Sequence, residues 1–97
     1  MPFDTTLDPT TDVILGAIDY LERYGWRKGG AASDGKRCIL GALRAESLGK
    51  ARLFSASIRR VKAANGIEID LPFWNDAQKR TKEDVISALR NTLAAPP

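Results

Sequence analysis

Cys38 is the single thiol in a chain of 97 residues that contains no histidine, and together these two facts limit the available chemistry. Nucleophilic catalysis of the Ser-His-Asp or Cys-His kind needs an imidazole to take the proton. Arg37 beside Cys38, together with a helix N-terminus, would lower a thiol pKa. Yet Cys38 opens the apolar run Cys38-Ile39-Leu40-Gly41-Ala42-Leu43, and free cysteine is among the most buried residue types, so a packing role is expected. One cysteine without histidine cannot assemble a structural zinc site within one chain, and no metal or cofactor is expected. The carboxylates form no convincing catalytic pair. Glu68 and Asp70 lie on the solvent side of an alternating segment, while Glu83 and Asp84 belong to a first helical turn, where they complement the dipole. The residues therefore point to a protein that binds and does not catalyse, with a small enzyme built on Cys38 as an alternative.

The cations are the candidates for that binding. Residues 1–22 carry five acids and no Lys or Arg, whereas residues 23–62 carry eleven Lys or Arg against Asp34 and Glu46. Residues 63–97 are close to neutral, with four cations against five acids, and the whole chain is +3. Within the basic middle, Arg27, Lys28, Lys36 and Arg37 bracket a Gly-rich stretch. Arg52, Arg59 and Lys62, with Ser55, fall on one side of a helix at 100° per residue. If these seven residues converge, they attract an acidic protein surface or the phosphates of nucleic acid. The alternative is an ordinary solvated face, partly neutralised by the acidic first helix.

Helices have to position these groups. Thr10-Thr11-Asp12 offers an N-cap, and Val13 or Ile14, Ala17, Ile18 and Leu21 share a face, which predicts a first helix over about 12–24 ended by Gly25. Gly29-Gly30 and Asp34-Gly35 are turn signals that predict a small β-hairpin or an irregular loop near 26–38. A short buried helix follows from Cys38 and ends at Leu48-Gly49, with Gly41 expected to permit close packing. Phe54, Ile58 and Val61 predict a third helix over about 51–64 with those side chains in the core, stopped by Asn65-Gly66. Ile67, Ile69 and Leu71 alternate with acids and suggest a short edge strand before Pro72. Phe73-Trp74-Asn75-Asp76 reads as a buried aromatic plug followed by turn formers. Thr81-Lys82-Glu83-Asp84 opens a last helix as a capping box, with Val85, Ile86, Leu89 and Leu93 inward.

The second and third helices, joined through Gly49, partly match a helix-turn-helix, which would make the basic third helix the reader of nucleic acid. Ala45 supplies the small residue four before the turn glycine, and Ile58 fits nine after it. Ser55, six after it, stands where that motif wants an apolar side chain.

The ordered set Gly25-Trp26, Gly29, Asp34-Gly35, Cys38, Leu40-Gly41-Ala42-Leu43, Trp74-Asn75-Asp76 and Arg80-Thr81-Lys82-Glu83-Asp84-Val85 resembles a family of small uncharacterised bacterial and phage proteins, a domain of unknown function. The resemblance runs from about residue 12 to 93. It implies a shared fold and supplies no activity.

The fold expected is mainly α, a compact single domain of about four helices spanning 1–97. Its ordered core would cover about 12–94, with flexible ends at 1–10 and 95–97. No apolar run approaches the roughly 18 residues that cross a bilayer, and a lone cysteine with an acidic N-terminus fits a cytoplasmic protein. The function expected is a small non-enzymatic binding or regulatory module, such as a phage or mobile-element adaptor or inhibitor. It would act through Arg27, Lys28, Lys36, Arg37, Arg52, Arg59 and Lys62 on an acidic protein partner, with nucleic-acid binding by the third helix as the alternative. A homo-oligomer is also compatible with the sequence; a membrane partner is not expected.

Overall fold

The computed structural model describes residues 8–30 and 34–96. The expected flexible residues 1–7 and 97, and part of the first loop, lie outside this range. Among the described residues five helices follow one another: α1 (Pro9–Tyr24), α2 (Ile39–Glu46), α3 (Ala51–Asn65), α4 (Leu71–Asn75) and α5 (Lys82–Ala94).

Helix α1 begins three residues earlier than the spacing predicts. The cap is Asp8, whose Oδ1 accepts from Thr10 N at 2.9 Å, and Pro9 suits the first turn, where no backbone donor is needed. Val13, Ile14, Ala17, Ile18 and Leu21 are buried on one face and pack against α2, α3 and α5, which makes α1 the central element. Ile39, Ala42 and Leu43 of α2, Val61 of α3, and Val85, Ile86 and Leu89 of α5 complete the core. Each fully buried Leu or Ile contributes about 1.5–3 kcal/mol relative to exposure. Ser47, Ser57 and Thr92 are also buried, and each hydroxyl donates to the carbonyl four residues back, so none is left unpaired.

Gly41 is not a point of close packing: a Cβ there would meet only ordinary van der Waals contacts. At Gly16 a Cβ would displace the carboxylate end of Glu46, a flexible side chain that can swing aside.

The β-hairpin expected near 26–38 is replaced by a loop closed with a single parallel bridge between Trp26 and Arg37. Arg27 N donates to Arg37 O at 3.1 Å, and Arg37 N donates to Gly25 O at 3.2 Å. A hairpin needs antiparallel strands, but these two segments run in the same direction, so the chain circles back before α2. Asp34-Gly35 is a turn as expected: Oδ1 of Asp34 accepts from Lys36 N, and Gly35 takes φ +82°, which disfavours a side chain.

The edge strand expected at 67–71 is also absent from the described residues. Asp70 instead stands at the N-cap position of α4, without a side-chain cap bond, and Pro72 sits in its first turn. Ile67 and Leu71 are buried, but Ile69 is 53% exposed and Phe73 71% exposed, so the aromatic plug loses its first member.

Asn75 takes that structural role. It is fully buried, and Oδ1 accepts from Trp26 Nε1 at 2.6 Å and from Ile39 N at 2.9 Å. Nδ2 donates to Arg27 O at 3.1 Å and to Asp76 Oδ1 at 2.9 Å. One amide thus ties the loop, the start of α2 and α4 together with all four of its bonds made inside the protein. The capping box of α5 is present, with Thr81 and Asp84 exchanging side chain-to-backbone bonds.

Candidate functional site

The loop cations are largely occupied by the protein itself. Arg27 Nε donates to Lys28 O, and Nη1 lies 3.9 Å from Asp34 Oδ2. Lys28 Nζ donates to Gln78 O at 2.8 Å. The Arg37 guanidinium lies 3.7 Å above the Tyr20 ring, and the Tyr20 hydroxyl donates to Gly35 O. Lys36 is exposed, with its aliphatic stem against Gly25. Asp76 anchors the same loop: its carboxylate accepts from Gly29 N, and this bond, then the Asn75 amide, holds its pKa below the usual carboxylate range, with Lys28 and Arg27 adding to the effect.

The α3 cations are in a different situation. Arg52, Ser55 and Arg59 line one shallow depression of about 370 Å³ together with Ala51, as the 100° spacing implies. Arg52 and Arg59 are exposed, and among the described residues no carboxylate pairs with them or with Lys62. Two acids of α1 are paired elsewhere, Asp19 with Arg23 at 2.9 Å and Glu22 with Arg90 at 2.6 Å. Among the described residues no ion pair from the first helix reaches this face. Lys62 lies one turn beyond the depression and does not line it. No hydrogen bond, ion pair or shared cavity among the described residues joins the loop group to the α3 group.

Two cations passed over in the sequence, Arg44 and Lys50, extend this face together with Phe54. Ala51 also lines a smaller pocket of about 170 Å³ formed by Arg44, Ser47, Gly49, Lys50 and Phe54, so the two depressions adjoin. Phe54 is half-buried and carries the Arg44 guanidinium 5.2 Å above its ring, whereas periodicity assigns it wholly to the core. The signal available was the Leu48-Gly49 turn. Both residues have positive φ, +53° and +77°, and the reversal brings Arg44 and Lys50 beside Phe54.

Arg60, the remaining cation of α3, is a structural link. Its Nη1 donates to the hydroxyls of Thr10 and Thr11 at 3.0 and 2.8 Å, pinning α3 to α1, while its buried Nε has no partner. It borders a cavity of about 580 Å³ with Asp8, Arg59, Ala63 and Pro96. The Asp8 carboxylate there is kept below its ordinary pKa mainly by the Thr10 backbone and hydroxyl bonds, with Arg60 a smaller contribution.

Cys38 is the N-cap of α2. It is half-buried, and Sγ accepts from Gly41 N at 3.3 Å. Arg80 lies 3.9 Å over the Trp74 ring and donates to Trp74 O, which ties the turn before α5 to α4. Among the described residues, no three Cys, Asp or Glu side chains gather as metal ligands would. No helix of the described residues is long and apolar enough to cross a membrane.

No curated protein and no solved structure matches this chain. A family model does, over residues 5–95, nearly the full length: the chain belongs to the family of unknown function DUF6197.

Proposed function

We propose that the protein is a small non-enzymatic binding module that engages an acidic protein partner through the exposed face of α3. The carrying observation is that Arg52 and Arg59 share one depression and that no carboxylate of the described residues forms an ion pair with either. Unpaired guanidinium groups on one helical face recognise carboxylates bidentately and raise association rates with acidic surfaces. The size and the lack of histidine suit an adaptor or inhibitor of bacterial or phage origin, working in the cytoplasm.

A second reading, nucleic-acid binding, is favoured by the arrangement of eight-residue α2, a four-residue turn and fifteen-residue α3. Magnitudes favour the protein partner. Tight duplex binders neutralise about 6–10 phosphates, whereas Lys50, Arg52 and Arg59 supply about three, which predicts a loss near 40-fold between 50 and 200 mM salt. Ser55, exposed where a helix-turn-helix requires an apolar contact, also weakens that reading.

The test is fluorescence anisotropy with a labelled oligoglutamate peptide and, separately, a labelled DNA duplex. Wild type is compared with Arg52→Glu/Arg59→Glu and with Lys79→Glu/Lys82→Glu, which reverses the same charge elsewhere. The α3 variant is expected to lose at least about tenfold in peptide affinity while the control keeps most of it. Equal losses in the two variants would reduce the effect to net charge and remove the proposal. Duplex binding stronger than peptide binding at 200 mM salt would favour the second reading.

A further inference from the structure

The chain carries an exposed group that matches the basic face it presents. Phe73 within α4 is 71% exposed and Ile69 just before it 53% exposed, and Glu68 and Asp70 on the segment leading into α4 are exposed without an ion-pair partner among the described residues. This is an aromatic knob flanked by two carboxylates. The pocket at the α2–α3 turn is the converse: about 170 Å³, floored by Phe54 and rimmed by the cations Arg44 and Lys50. A cavity near 150 Å³ holds a benzene molecule, so this one is sized for a single phenyl group.

We infer that the basic α2–α3 face takes the Phe73 knob of a second copy of this chain, so that the protein self-associates head to tail. Phe73 would enter the pocket beside Phe54 and against the Arg44 guanidinium, which gains a second ring. Glu68 and Asp70 would meet Lys50 and the neighbouring Arg52. The contact cannot close within one molecule by a side-chain rotation. Asn75 fixes the end of α4 to Ile39, the first residue of α2, while the pocket lies at the last turn, about 12 Å further along that helix. If both pairs of surfaces cannot engage reciprocally in one two-fold dimer, the contact is heterologous and propagates to a ring or short chain. One knob in one small pocket buries less than the roughly 1,600 Å² of a standard stable interface, so the association is weak and concentration-dependent. The inference rests on the reading that the α2–α3 face docks acidic groups, and it names the partner.

Sedimentation velocity of the full chain, from about 1 to 500 µM in low salt, reads the assembly directly. The weight-average mass is expected to rise with concentration and to fall back in high salt. Phe73→Ser and the pocket variant Arg44→Glu/Lys50→Glu, both surface changes verified as folded by circular dichroism, should each weaken association at least about tenfold. Mixed together, they should form a heterodimer that grows no further, since each supplies the surface the other lacks. A monomer at all concentrations, association untouched by either variant, or a mixture that stays monomeric would overturn the inference. Oligoglutamate binding that persists in Phe73→Ser, alongside a monomeric wild type, would remove self-association while leaving the acidic-partner reading in place.

Discussion

Removing the Asn75 amide gives the sharpest test of how the loop is held. Asn75→Ala would leave three groups without partners: the Ile39 N–H, the Trp26 Nε1–H and the Arg27 carbonyl. Asp76 Oδ1 retains its bond from Gly29 N and is not orphaned. An unsatisfied buried group costs about 1–3 kcal/mol. Ile39 is fully buried and belongs at the upper end, while half-buried Trp26 and Arg27 are nearer to water and belong at the lower end. The sum is about 5 kcal/mol, a large part of the 5–15 kcal/mol that holds a typical domain. With a urea m-value of about 1.5 kcal/mol/M, the unfolding midpoint should fall by about 3 M, followed by tryptophan fluorescence. Asn75→Asp keeps both acceptor bonds, loses the donor to Arg27 and sets a carboxylate beside Asp76, so its loss should be intermediate. Trp26→Phe removes one bond and should cost about 1 kcal/mol, with part of that cost disappearing in the Asn75→Ala background. A midpoint shift below about 0.5 M for Asn75→Ala, at unchanged m, would refute the assignment of Asn75 as the tie between loop, α2 and α4.

Two further perturbations separate local from tertiary causes. Gly41→Ala should stabilise the protein by about 0.5–1 kcal/mol in urea unfolding, because the new Cβ meets only ordinary contacts inside a helix; destabilisation would restore a packing role for Gly41. Asp76 has a depressed folded pKa, so its contribution is complete above the unfolded value of about 3.9 and is lost as pH falls through the lower folded value. Unfolding midpoints between pH 6 and pH 2.5 should therefore drop less steeply in Asp76→Asn than in wild type, and parallel profiles would show that the Gly29 bond contributes nothing.

Helix content was legible because its causes are local. The apolar spacing of α1, α3 and α5, the Gly25 and Gly66 stops and the Thr81-Asp84 capping box act within a few residues of themselves. The shared face of Arg52, Ser55 and Arg59 was legible for the same reason, since a helix period alone assembles it. The parallel closure of the first loop was not, because it depends on Asn75, nearly 50 residues beyond Trp26. Alternation over Ile67, Ile69 and Leu71 misled because a short helix begun after Asp70, with Pro72 suited to its first turn, competes with a strand that has no neighbour to pair with among the described residues.

Cys38 illustrates the division most directly. The sequence by itself determined that this thiol has no imidazole partner, because composition does not depend on folding. Only the tertiary structure decided where the charges stand. Asp34 and the Gln78 carbonyl take up Arg27 and Lys28, and Arg23 and Arg90 engage acids of α1. Arg52 and Arg59 remain without an ion pair among the described residues, because such a pair forms only at contact distance and no carboxylate comes that close.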